Sequence, residues 1–174
     1  MVHVNPNDYG PLEGYLAYEV FNNGCDVESS TGLADLYWDT ILETGACLNA
    51  VATDDNHNRA MDSFGGFVWV KAAGLSRESI LQALKDGRFY ASSGPVIYDA
   101  FVKDGVVHVV CSPCSRVTFK AGGFVCGCHN VSGEGITSAS FNAPDNAVYV
   151  RVECVDARGR AAWLNPFYAE GFGR

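Results

Sequence analysis

Hydrophobic periodicity changes character near Ser92-Ser93-Gly94-Pro95, a Gly/Pro turn signal that marks a domain boundary between two kinds of architecture. Upstream, strand and helix patterns alternate. Residues 15–20 read as a strand, and residues 33–43 as a helix with Thr31 near its start, Gly45 beyond its end and Leu33, Tyr37 and Ile41 on one face. Residues 48–53 form a nearly continuous apolar run, the signature of a strand buried on both faces of a largely parallel sheet. Residues 66–72 predict another strand, and residues 76–86 a helix with Ser76 as N-cap and Gly87 as its stop. The order β-α-β-β-α belongs to an α/β layer or barrel.

Downstream the helix signals disappear. Residues 96–103 and 106–111 flank Asp104-Gly105, a dipeptide suited to a tight hairpin turn, and residues 117–121, 147–155 and 161–164 follow as strands. The expectation is α/β followed by all-β, with an α/β domain over residues 1–94 and a small antiparallel β-sandwich over residues 95–174. Residues 122–135 hold five glycines and predict an exposed, flexible loop.

At 174 residues, 48% of them hydrophobic, the chain can bury one good core or two small ones. A formal charge of −8 without clustered Lys or Arg argues against nucleic acid and anionic membrane as partners. No membrane span or signal peptide is read, and a cytoplasmic location is the default expectation. Seven cysteines, an odd number, suit a reducing compartment. Cys111-Ser112-Pro113-Cys114 followed by Cys126-Gly127-Cys128-His129 invites a zinc reading. The alternating apolar setting of Cys111 and Cys154 favours small buried hydrophobes instead.

The stretch with most chemistry is Ala52-Thr53-Asp54-Asp55-Asn56-His57, where the apolar run ends. Carboxyl ends of parallel strands face the functional crevice of α/β folds. Along an extended segment Asp55 and His57 fall on one face, and a carboxylate with a neutral imidazole suits zinc, manganese or iron. An ordinary polar turn explains the same spacing.

Several phrases taken together resemble the C-terminal portion of proteins of the PHP (polymerase and histidinol phosphatase) superfamily, in particular the CehA/McbA-like metallohydrolases. They are Tyr18-Glu19-Val20-Phe21-Asn22, Tyr37-Trp38-Asp39 with Leu42 and Gly45, Ala52 to His57, Gly66-Phe67-Val68-Trp69-Val70, Gly87 to Pro95, and Ala162-Trp163-Leu164-Asn165-Pro166. The resemblance implies part of a PHP-type (β/α) barrel, a metal-dependent hydrolase such as a phosphoesterase, and a small-molecule ester or phosphoester substrate. It implies Asp55 and His57 as metal ligands; the family's His before Pro is Asn5 here, and either the branch has drifted or His3, on the same strand face but displaced, takes that role as a third ligand. The family's N-terminal His-x-His has no counterpart. The expectation is therefore a C-terminal fragment that binds its divalent metal (Mn, Zn or Fe) weakly and is inactive alone. An incomplete barrel would also expose strand edges and self-associate. The alternative is a non-catalytic β-sandwich module for carbohydrate or protein, with Tyr98, Phe101, Phe119 and Tyr149 as its aromatic row. His108 and His129 read as structural or solvated, Trp38, Trp69 and Trp163 as core anchors, Glu19 as a sheet-edge group, and Arg59 and Lys71 as surface charge.

Overall fold

Alternating apolar positions do pair as strands, but the sheet they build also captures strands from upstream of Pro95. The computed structural model describes residues 14–57, 61–123 and 127–169 and is mostly antiparallel β-sheet with three short helices. Strand β1 (Ala17–Asn22) leads into α1 (Asn23–Ser29), α2 (Asp35–Glu43), β2 (Asn49–Thr53), β3 (Phe67–Val70), α3 (Arg77–Lys85) and β4 (Phe89–Ser92). Then come β5 (Ile97–Lys103), β6 (Val106–Gly122), β7 (Cys128–Asn142), β8 (Tyr149–Val155), β9 (Ala161–Leu164) and β10 (Phe167–Tyr168). β1 and β2 pair in parallel. The others form one sheet in the order β3-β4-β9-β8-β6-β5, with β7 alongside β6 and β10 alongside β8.

Strand pairing bears on three of the expectations. β3 and β4 pair antiparallel with each other, and β4 pairs with β9, so hydrogen bonding runs across the division expected at residue 94. Among the described residues, the parallel pairing that a barrel segment requires is confined to β1 and β2. The glycine-rich stretch expected as a loop contains the start of β7, which is bonded along β6 from Cys128 onward. β7 is exposed at most positions, so it carries no alternating apolar pattern to announce it.

Local chemistry explains the element ends. Ser76 caps α3 by accepting from the Ser79 amide at 3.2 Å, and Gly87, at φ 68°, turns the chain away after it. Helix α2 starts at Asp35, later than the periodicity suggests, because Leu33 bridges Phe21 and the Ala34 amide donates to Val20 O at 2.9 Å. Asp104 and Gly105 both have positive φ, 52° and 75°, as the tight β5–β6 hairpin requires. Register shifts around Cys114 bend β6, and Pro113, which has no amide to offer a ladder, sits at that irregularity.

Two cores result. The larger lies within the antiparallel sheet and includes Val107, Val109, Val117, Phe119, Val150, Val152 and Cys154. The smaller packs β1, β2 and α2 against the sheet through Val20, Trp38, Leu42, Ala50, Ala91 and Trp163. Polar fasteners cross this second seam. Asn165 accepts from the Ala50 amide at 2.9 Å while donating to Gly87 O and Phe89 O, and the Tyr168 hydroxyl accepts from the Leu48 amide at 2.9 Å. Arg151 on β8 is fully buried, grips Asp39 of α2 with two nitrogens, and lies over the Trp38 ring at 4.9 Å.

Candidate metal-binding rim

Parallel pairing brings the C-terminal ends of β1 and β2 together, with Asn22 opposite Thr53. At that rim the chain turns sharply, and Asp54 holds the turn. Its carboxylate accepts from the backbone amides of Phe64, Gly65 and Gly66 at 2.7, 2.8 and 2.8 Å. Burial pulls its carboxyl upward, but the three amide donors outweigh this and hold it below the usual carboxylate value. Glycine is required where this loop passes: a Cβ on Gly66 would lie 2.1 Å from Thr53 O, and one on Gly65 would strike the Asn23 side chain. Asp62, buried, braces the other side by accepting from the Asn56 side chain at 3.1 Å and the His57 amide at 3.2 Å.

Asp54 is thus engaged by backbone amides and Asp62 by one amide and the Asn56 side chain, and Asp55 and His57 are left facing outward. Asp55 adopts φ 48°, a left-handed conformation that Asp tolerates better than most residues. Its Oδ1 lies 3.3 Å from His57 Nε2, with the two side chains 44% and 66% exposed. Asn22 supports this pair from β1: its Oδ1 caps α1 by accepting from the Cys25 amide at 2.8 Å, and its Nδ2 donates to Asp55 Oδ2 at 3.2 Å and Glu19 Oε2 at 3.3 Å. Glu19 also accepts from the Thr53 hydroxyl. The field at this rim is negative. Burial, then Asp55, Glu19 and Glu28, raise the Cys25 thiol above its ordinary value.

With metal–ligand bonds of about 2.0–2.2 Å, two donors on one ion lie about 3.0 Å apart at a right angle and about 3.4 Å at a tetrahedral angle. The Asp55–His57 separation of 3.3 Å falls within that interval, and it is equally that of a direct ion pair between the two side chains. An oxygen and an imidazole nitrogen are also suitable donors for a borderline divalent cation. Among the described residues, no group of three or more His, Cys, Asp or Glu is arranged to hold a metal ion. His3 lies outside the described residues, as do Arg59 and Cys126.

The cysteines divide differently from the zinc reading. Cys111, Cys114 and Cys154 are buried in the large core, whereas Cys128 is exposed. Hydrogen bonding between the two thiols pulls Cys111 down from its ordinary value and pushes Cys154 up. His108 stacks on Phe101 at 4.9 Å and His129 on Phe141 at 5.5 Å, both away from the rim. Trp38 and Trp163 are core residues, but Trp69 is 46% exposed. The aromatic row read from the sequence is broken: Tyr98 and Phe101 are exposed, while Phe119 and Tyr149 are buried. Asn22 and Asp62 escaped the sequence reading. Their roles depend on partners across the fold, and the one local clue is that Asn22 is a good capping residue directly before α1.

No family model, curated protein or solved structure matches this chain. No helix among the described residues is long and apolar enough to cross a membrane.

Proposed function

We propose that this chain supplies part of the metal site of a metal-dependent hydrolase, with Asp55 and His57 as two ligands of a divalent cation. The remaining coordination positions are filled by water or by groups from outside the described residues. The reading draws on the resemblance to PHP-superfamily hydrolases and on one geometric observation: a carboxylate and an imidazole 3.3 Å apart at the C-terminal rim of parallel strands. A bound cation there would acidify a coordinated water for attack on an ester or phosphoester. The chain's own residues do the positioning. Asn22 holds Asp55 Oδ2 and leaves Oδ1 toward His57, Asp62 fixes the His57 backbone, and Asp54 closes the loop beneath both. With two protein ligands the affinity is weak and turnover by this chain alone is negligible.

Calorimetric titration with Mn²⁺ and Zn²⁺ tests this. One weak site, lost in both Asp55→Asn and His57→Ala, is expected. Absence of binding at millimolar metal, or binding indifferent to both substitutions, contradicts it. A non-catalytic binding role for the large sheet is a second reading, favoured by an aromatic-walled cleft between the sheet's end strands.

A further inference from the structure

The first and last strands of the sheet path, β3 and β5, both contribute to one cleft of about 590 Å³. The Tyr90 hydroxyl of β4 accepts from the Ile97 amide of β5 at 2.9 Å and ties the two ends together at this cleft. Phe89, Ile97, Leu164, Pro166 and Phe167 supply apolar lining, and the volume is that of small-molecule sites in general. Trp69 lines it from β3 and Tyr98 from β5, and they are 46% and 67% exposed. Lys71 also lines it and has no carboxylate partner among the described residues, whereas Arg88 is paired with Asp86 at 2.9 Å. Asp99 brings a carboxylate of opposite sign.

This combination discriminates between ligand classes. An anionic ring would meet Asp99, and a cationic one would meet Lys71 and Arg88. A wholly apolar ligand would desolvate the Lys71 and Asp99 charges without pairing them. A neutral ring bearing many hydroxyls uses every group: its C–H face lies on Trp69 or Tyr98, its hydroxyls donate to Asp99, and its oxygens accept from Lys71 and Arg88. We propose that the cleft between β3 and β5, lined by Trp69, Tyr98, Lys71 and Asp99, binds a neutral saccharide of one or two rings. This site shares no residue with the Asp55–His57 rim and stands whether or not that rim binds metal.

Trp69 is the one exposed tryptophan of the three, so acrylamide quenching of fluorescence reads this cleft selectively. Maltose, cellobiose, xylobiose and chitobiose are titrated as probes, with benzoate and choline as anionic and cationic comparisons. At least one disaccharide is expected to shield Trp69, with the affinity falling about tenfold or more in Asp99→Ala. For Trp69→Ala, which removes the fluorophore, loss of the saccharide's saturation-transfer NMR signal is the expected readout. Trp69→Phe should retain that signal. Circular dichroism confirms that each variant is folded. Shielding by benzoate or choline but by none of the sugars overturns the saccharide assignment, and so does binding unaffected by both Trp69→Ala and Asp99→Ala. Failure of every probe overturns the site itself.

Discussion

The antiparallel sheet and the parallel β1–β2 pair are held by different forces. The sheet's core is a continuous apolar cluster whose strands announce themselves by alternation. The pair has a smaller core, and its seam with the sheet is crossed by Asn165, Tyr168, Lys120, Arg151, Asp35 and Asp39. Apolar burial holds surfaces together without choosing among nearby registers, whereas a bidentate Arg–carboxylate pair permits little sliding. The difference suggests a division of labour: the sheet provides stability, and the polar seam sets where the rim of the parallel pair points.

The largest effect should come from the sheet. Phe119, fully buried and stacked on Phe141 at 5.5 Å, leaves a cavity on Phe119→Ala, with an expected loss of about 3–5 kcal/mol in urea unfolding. A loss under about 1 kcal/mol would mean that the sheet is not the stabilising half. The seam comes next. Arg151 has one nitrogen, Nη1, buried without a hydrogen-bond partner, 3.7 Å from Glu153, so its main compensation is Asp39. Asp39→Ala leaves the buried guanidinium only the longer contacts to Asp35 at 3.4 Å and Glu153 at 3.7 Å and should cost about 3 kcal/mol. If polar contacts set orientation, this substitution should also perturb NMR shifts at Asp55 and His57. Unchanged rim shifts would break the proposed division.

The sheet is the more legible region because period-two alternation is a local signal, and the strand expected over residues 161–164 coincides with β9. β7 is not legible because a strand exposed at most positions has no such signal, nor is α1, whose seven residues include no periodic apolar face. That β4 joins β9 was not legible, since partner choice depends on residues about seventy positions apart, such as Ala91 and Trp163. At the rim, Asp55 and His57 stood out by spacing. The identity of the structural carboxylate among neighbouring acids did not: only the fold shows that Asp54 and Asp62 serve the backbone.

Acid sharpens the comparison further. The carboxyls of Asp54 and Asp156 are both held below the ordinary value of 3.8, the latter by Arg160 and the amides of residues 158 and 160 against the opposing effect of burial. A depressed folded value means that the native state binds fewer protons than the unfolded chain. The stabilisation is therefore complete above about pH 4 and lost as pH falls through the folded value. Asp54→Asn should flatten the acid limb of the stability profile below pH 4 and lower stability at neutral pH by about 1–2 kcal/mol. An acid limb identical to that of the unsubstituted protein would contradict the clamp. The smallest effect belongs to the proposed ligands: His57→Ala, at an exposed position, should change unfolding free energy by less than about 0.5 kcal/mol. A large loss there would make His57 a structural residue.

The central claim is that Asp55 and His57 jointly hold a divalent ion, and paramagnetic Mn²⁺ tests it without reference to catalysis. Substoichiometric Mn²⁺ added to isotopically labelled protein should broaden amide resonances around residues 22–25, 53–57 and 62–66 first, and this selectivity should vanish in His57→Ala. Broadening centred elsewhere, or spread evenly over the acidic surface and indifferent to His57→Ala, would contradict the account.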